Sequence, residues 1–399
     1  MHRPKIFLSA GEASGEHYGV LLMEALRRLE PETDFFGMGG QRMEALGCRR
    51  VVRAEDVAVM GITEVVRHMP RIYGEYRKLK QSLRDERPDA AILIDFPDVN
   101  LRLARELHRL AIPVIYFVSP QLWAWKKRRI RWVQRYVDRM LVIFPFEEAF
   151  YRERGVQADF VGHPLADVAL PSVSREAFAA QYGLDASKKW IGLLPGSRAK
   201  EIRLNLPEMV KAAAELMRDY EFLLPLAPTL TDQQVARVHQ ILAEALPPQH
   251  PPRVTLVRDA RAALFHACAS VVASGTATVE AALIGNPFLV VYRVSALTYA
   301  VAQRVVKVPF VAMVNLVAGR QVVPELIQDN FDAASVVSHL RPLLDDENLR
   351  RTVCSDLRQV AAKLKPHAGL GTAIERAASI TMQLIDQKQH RSMQPSLAE

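Results

Sequence analysis

Cysteine is scarce in this chain. The three present, Cys48, Cys268 and Cys354, lie far apart, no pair sits at metal-ligand spacing, and an odd number cannot all pair. A zinc module and a disulfide scaffold are therefore not expected, and a reducing cytosol is the compartment that fits. Long apolar runs are also lacking. The stretch 288–306 comes nearest to the ~18 uncharged apolar residues of a spanning helix, and Arg293 and Arg304 break it. At the N-terminus only residues 6–10 form an apolar run before Gly11 and Glu12, too short for the core of a signal peptide. With 19 Gly and 24 Pro, and neither a repeat nor a low-complexity tract, a collagen-like or disordered chain is excluded. Acidic side chains are the minority charge, 44 against 52 Lys plus Arg, for a formal net charge of +8. That excess suits an acidic partner: nucleic acid, an anionic membrane surface or a phosphate-bearing substrate.

What is present is enough apolar material for large cores. Hydrophobic residues make up 49% of the 399 positions, and at ~100–200 residues per domain the length allows two domains or a few. Residues 6–10, 90–95, 114–119 and 140–144 read as buried strands, with helical spacing of apolar residues over 18–29, 101–110 and 130–137 between them. Strand, helix, strand in series predicts a parallel sheet covered by helices. The rhythm lapses over 164–190 and restarts with strands at 190–194, 222–226, 254–257, 270–273 and 288–292. Beyond residue 348 only helices are expected, over 356–364 and 373–389. The fold class is therefore α/β, two doubly wound domains expected to face each other across a cleft at the carboxyl ends of their strands.

Chemistry is accordingly sought at strand ends. The first loop carries Gly11, Glu12, Ser14 and Gly15 between a strand and a helix. Its glycines let a ligand approach the backbone, and the helix start favours an anion; a tight turn with Ser14 as N-cap is the plainer alternative. The spacing is neither a dinucleotide fingerprint nor a P-loop. Residues 92–100 form an apolar strand ending in Asp95, Asp98 and Asn100. A carboxylate at the mouth of a sheet can take a proton from a substrate hydroxyl. Asp98 is the better candidate, since Asp95 can serve simply as a strand-end cap, and Asn100 reads either as a substrate contact or as an N-cap. Residues 119–125 are followed by Lys126, Lys127, Arg128, Arg129 and Arg131. Such a run grips nucleic acid, holds a sugar-lipid phosphate or is a solvated helix face. In the second half, Pro195, Gly196, Ser197 and Arg198 end a strand with backbone N–H groups, a hydroxyl and a guanidinium suited to phosphate, against a turn closed by an Arg198–Glu201 salt bridge. Ser274, Gly275 and Thr276 at a helix start form a diphosphate cradle, with Glu280 placed to accept from ribose hydroxyls; an ordinary cap is the alternative.

These segments, with Gly162, His163, Pro164, Asn315 and the run 324–328, resemble the lipid-A-disaccharide synthases in one order over nearly the whole chain. The resemblance implies a bacterial, metal-independent, inverting glycosyltransferase of the GT-B type. It joins UDP-2,3-diacylglucosamine to 2,3-diacylglucosamine 1-phosphate (lipid X), giving the lipid A disaccharide 1-phosphate and UDP, at the inner face of the inner membrane and without a cofactor. Carried over residue by residue, it assigns Asp98 as base on the acceptor's 6-hydroxyl and Arg198 as the residue that steadies the leaving UDP, helped by Ser197 and the N–H groups of 274–276. Glu280 then holds ribose, and Asn315 and Gln328 line the nucleotide-sugar side.

Residues 1–168 are expected as the acceptor and membrane-side domain, 169–349 as the UDP-sugar domain, and helices within 350–390 as returning to the first. Residues 57–73 carry Val65, Val66, Met69 and Ile72 among Arg67, His68 and Arg71, a pattern that suits either contact with a membrane or packing on the core. A homodimer is compatible with the sequence. The rival readings are a UDP-sugar epimerase or another GT-B transferase and, from another class, a nucleic-acid-binding protein using residues 123–139.

Overall fold

The computed structural model describes residues 3–57, 62–245, 251–306, 308–366 and 369–393, without the side chains of 13, 62–71, 297 and 391–393. The chain divides into two compact units, Met1–Asp167 with Leu364–Glu399, and Val168–Lys363.

The first unit is built on seven strands: β1 (Lys5–Ala10), β2 (Asp34–Gly39), β3 (Arg49–Arg53), β4 (Ala90–Ile94), β5 (Val114–Phe117), β6 (Arg139–Val142) and β7 (Ala158–Phe160). All pairs are parallel, in the order β3-β2-β1-β4-β5-β6-β7. Helices cover both faces, so β4 is buried throughout and β1 from Ile6 onward; β4 reads in sequence as an unbroken apolar run, and β1 does so from Ile6 to Leu8. The order reverses between β1 and β4, and the loops leaving those two strands diverge there to form a crevice.

Two strands of this sheet escape sequence patterning for identifiable reasons. β3 reads Arg, Arg, Val, Val, Arg, an edge strand with only one fully buried side chain. β2 contains Gly37 at φ +143, directly opposite Leu8, where a Cβ would lie 2.0 Å from the Leu8 carbonyl oxygen. Only glycine fits there. Gly37→Ala is expected to cost roughly 2 kcal/mol or more through backbone strain and overpacking, read as a lower thermal midpoint; an unchanged midpoint would contradict this register.

The second unit repeats the plan with β8 (Lys189–Leu194), β9 (Tyr220–Pro225), β10 (Val254–Val257), β11 (Ala269–Ala273), β12 (Phe288–Tyr292) and β13 (Glu325–Ile327). Its parallel order is β10-β9-β8-β11-β12-β13, with the reversal between β8 and β11. The architecture is thus two Rossmann-like α/β units.

The C-terminal helices part company at residue 364. The helix Glu347–Leu364 stays with the second unit, tied by an Arg320–Asp356 ion pair of 2.7 Å and by Cys354 against the Gly285 carbonyl. The helix Ala373–Met393 belongs to the first unit, where it packs along the helix Ala13–Leu29 and its first N–H donates to Asp167 at 2.8 Å. The expected return of 350–390 is corrected to the stretch after Lys363. Of the stretch 57–73, residues from 62 onward belong to a helix running from Ile62 to Glu86, whose Leu79 and Leu83 enter the core of the first unit; residues 58–61 lie outside the described residues.

Candidate functional site

At the reversal in the first unit, Gly11 and Glu12 lead from β1 into the helix Ala13–Leu29. A Cβ on Gly11 would meet the Phe96 ring at 2.3 Å, so the glycine admits that ring. Glu12 occupies the N-cap position, leaving Ser14 exposed within the first turn and Gly15 buried, which displaces Ser14 from the capping role. Across the reversal, Asp95 and Phe96 both take left-handed backbone, φ 45 and 48, before Pro97 opens the helix Pro97–Arg109. Two non-glycine residues in that region are strained and need support. The Tyr116 hydroxyl supplies it by donating to the Asp95 carbonyl at 2.6 Å, and the Asn100 amide donates to the carbonyls of Asp95 and Ile94 at 2.7 and 3.1 Å. The Ser9 hydroxyl donates to the Asn100 side-chain oxygen at 2.6 Å. Asn100 is fully buried and committed to joining the ends of β1 and β4. Of the two expected uses, the N-cap position falls to Phe96 instead.

Asp98 lies in the first turn of that helix with its side chain two-thirds exposed. Arg129 donates to it at 2.5 Å and the Lys126 ammonium stands 3.8 Å away, itself 4.2 Å from the Trp125 ring centroid. Partial burial raises the carboxyl's pKa, but the Arg129 hydrogen bond and charge, then Lys126 and Arg102, outweigh it and hold it below the ordinary value. The basic run after Trp125 is therefore not merely a solvated face. Part of it surrounds an ionised carboxylate and presents cations beside it.

In the second unit the corresponding reversal brings together the loops after β8 and β11. Gly196 has φ +117, and a Cβ there would lie 2.5 Å from the Glu201 carboxylate. That carboxylate accepts from the N–H groups of Ser197 and Arg198 at 3.1 and 3.3 Å, at the start of the helix Ala199–Leu216. The Asn205 amide holds the Pro195 carbonyl at 2.9 Å, repeating the device seen at Asn100. Arg198 keeps a mostly exposed guanidinium, 3.6 Å from the other Glu201 oxygen, so the predicted turn salt bridge forms with the guanidinium still largely at the surface. After β11, the Ser274 N–H is taken by the Val291 carbonyl at 2.9 Å, and Gly275, φ +150, and Thr276 stand at the start of the helix Thr276–Ile284. Nothing stands within 4 Å of a Cβ built on Gly275, so the surface there is open. Glu280, mostly buried on that helix, lies 3.9 Å from Arg261; burial pushes its carboxyl up against the pull of that cation.

Two further expected contacts sit within the packing of the second unit. Asn315 is fully buried, accepting from the Val322 and Val323 N–H groups and donating to the Val323 carbonyl and Glu325. Gln328 clasps the Val294 backbone, accepting from its N–H at 2.6 Å and donating to its carbonyl at 3.1 Å. Both carboxamides are spent on holding β13 and its neighbours, for the same reason as Asn100: a buried amide satisfies several backbone groups at once. Of the expected membrane contacts, Ile72 packs against the first unit's core, and the side chains of Val65, Val66 and Met69 lie outside the described residues. Among the described residues no group of three or more His, Cys, Asp or Glu is arranged to hold a metal ion.

Residues 6–369 match the family model described as lipid-A-disaccharide synthetase. The chain belongs to that family. Named lipid-A-disaccharide synthases of Acidobacterium capsulatum and Koribacter versatilis are 63% and 49% identical to it, over 96% of this chain and 97% and 99% of theirs. Among solved structures it is similar to a putative UDP-N-acetylglucosamine 2-epimerase of Listeria monocytogenes, TM-score 0.64 at 14% identity over 99% of both chains. It is also similar to the calicheamicin glycosyltransferase CalG4, TM-score 0.61 at 16% identity, over 97% of this chain and all of that one. At such identity these two neighbours speak for the GT-B fold alone. Within the family's scaffold, Ser9, Tyr116, Asn205 and Glu201 do the positioning that sequence reading missed. Glu201 carried a signal, an acid three residues after the first helix-capping position, whereas Ser9 and Tyr116 sit inside strands and carried none.

Proposed function

We infer that this protein is a lipid-A-disaccharide synthase. It is a glycosyltransferase that condenses UDP-2,3-diacylglucosamine with 2,3-diacylglucosamine 1-phosphate to give the lipid A disaccharide 1-phosphate and UDP. The observation that carries this is full-length identity of up to 63% with proteins of that name. The placement of ionisable groups at the two topological reversals supports it. In this reading Asp98 removes the proton of the acceptor's 6-hydroxyl as its oxygen attacks the anomeric carbon. The bond from that carbon to the UDP oxygen breaks with inversion, and negative charge grows on the diphosphate. Arg198, the Ser197 hydroxyl and the helix start at Gly275 and Thr276 meet that charge, taking the place a cation would fill. Lys126 and Arg129 are suited to the acceptor's phosphate, and Glu280 to the ribose.

Both substrates are lipids, and we place the enzyme at the cytoplasmic face of the inner membrane as a peripheral protein. No helix among the described residues is long and apolar enough to cross a membrane. The helix Ala296–Val305 nevertheless leaves Val301 and Val305 exposed, followed by exposed Val306 and Val311, with Arg304 beside them, a composition that suits an anionic lipid surface. One incubation with both acylated sugars, followed by mass analysis of the lipid product, tests the activity. The tetraacyl disaccharide 1-phosphate is expected only when both are present. Conversion of the UDP-sugar with no acceptor would instead identify an epimerase.

A further inference from the structure

Glu147 is a buried carboxylate that the reaction scheme above does not use. It sits at the third position of the helix Pro145–Arg152, which follows β6, and is 2% exposed. One oxygen accepts from the Phe144 N–H at 3.2 Å, capping its own helix. The other accepts from two side chains of the loop after β5, the Ser119 hydroxyl at 2.6 Å and the Trp123 ring N–H at 3.0 Å. The buried Tyr151 hydroxyl, one turn along, donates to the Pro120 carbonyl at 3.1 Å, so this short helix grips the loop at three successive points. The Trp123 ring packs edge-on against Phe146, 5.0 Å between centroids.

The gripped loop needs holding. It is bracketed by two non-glycine residues with left-handed backbone, Val118 at φ 62 and Lys126 at φ 50, and each costs on the order of 1–3 kcal/mol unless its surroundings impose it. The residues at its far end are Lys126 and Arg129, the two cations that stand over Asp98. Asp98, the loop and Glu147 follow β4, β5 and β6, three neighbouring strands, so they lie side by side along the carboxyl end of the sheet.

We propose that Glu147, as a carboxylate, is the positioning residue that fixes the loop 119–126 and through it holds Lys126 and Arg129 at Asp98. This rests on the reading of Asp98 as the acceptor-side base. Three donors converge on the Glu147 oxygens, an arrangement matched to the ionised form; a proton added there finds donors already aimed at it. Burial pushes the carboxyl up to about 7, against the hydrogen bonds from Ser119, Trp123 and the backbone that favour its charge. Tyr151, whose own ionisation burial suppresses, shares the network, and neutral His163 lies beyond the Phe144 ring. The loop is therefore firmly held above neutrality and loosened below it, while Asp98 itself stays ionised far into acid.

Wild-type enzyme that forms the disaccharide establishes the reaction first; without product, the functional reading fails whatever Glu147 does. Given product, kcat/KM for the acylated sugar phosphate is measured from pH 5.5 to pH 9, about 1.5 to 2 units either side of the Glu147 midpoint, with UDP affinity followed by calorimetry. Wild type is expected to lose acceptor kcat/KM on an acid limb centred near 7. Glu147→Gln should lower the high-pH value by roughly tenfold, the scale of one charge-assisted hydrogen bond, abolish that limb and leave UDP affinity unchanged. Ser119→Ala, which removes one donor and keeps the acid, should move the limb to higher pH, and it serves alone if the glutamine variant does not fold. An acid limb that persists in Glu147→Gln, stays fixed in Ser119→Ala, or never appears in wild type would overturn the proposal. So would an equal loss of UDP affinity, which marks general damage.

Discussion

Asp98→Asn is expected to give a folded protein that binds UDP normally and turns over on the order of 10²- to 10⁴-fold more slowly, the usual worth of a positioned general base. Asparagine keeps the size and the hydrogen-bonding oxygen but cannot take a proton. Folding should be almost untouched, because the Asp98 pairs with Arg129 and Lys126 are surface ones with the carboxylate two-thirds exposed, and such pairs contribute about 0–1 kcal/mol. UDP binding is assigned to the other unit, so calorimetry with UDP is the internal control. The lowered pKa of Asp98 sets the direction of its own pH effect: the carboxylate is ionised at neutrality, and its contribution to rate is lost only as pH falls through that lowered value. A base held this low is a weak one while Arg129 donates to it. An incoming sugar phosphate that shares Arg129 and Lys126 in place would weaken their hold on the carboxylate and raise its basicity at the moment it is needed. Near-normal turnover by Asp98→Asn would remove Asp98 as the base.

Most of the fold was legible because parallel strands buried on both faces are written as short apolar runs, and nine of the thirteen strands among the described residues have three or more consecutive buried residues. β2, although buried, was hidden by its two glycines, β3 by its arginines, and β7 and β13 by being three residues long. The site was legible in a different sense. Exposed groups at strand ends, Asp98, Ser197, Arg198, Gly275 and Thr276, stand at the two reversals where topology opens a crevice. Asn100 stands two residues from Asp98, yet it is turned inward, as are Asn315 and Gln328, and nothing in a residue's identity says whether its amide faces a ligand or three carbonyls. Sequence shows which residues can make polar contacts, whereas burial decides which contacts they make.

Arg198→Ala is expected to weaken UDP binding by roughly 10- to 150-fold, the range of a lost hydrogen bond to a charged group, and to lower turnover further still. The second loss follows from where the charge is. Ground-state UDP-sugar carries its diphosphate charge on the non-bridging oxygens, and as the bond to the anomeric carbon breaks its electron pair stays on the former bridging oxygen and the leaving diphosphate gains charge, so a guanidinium beside it is worth more in the transition state than in the complex. The loop geometry supports such a role: Glu201 holds the backbone N–H groups of Ser197 and Arg198, and Asn205 holds Pro195, while the guanidinium itself meets Glu201 only at 3.6 Å in an exposed pair. Arg198→Lys separates charge from shape, since an ammonium keeps the attraction but not the forked pair of N–H donors. It should bind UDP better than alanine does and recover less of the rate than of the affinity. Folding is a separate matter, because the Glu201 cap uses the Arg198 backbone and survives both substitutions, so the thermal midpoint should stay close to wild type. If UDP binds Arg198→Ala as tightly as wild type, the diphosphate is held elsewhere and the assignment of the β8 loop to it is wrong.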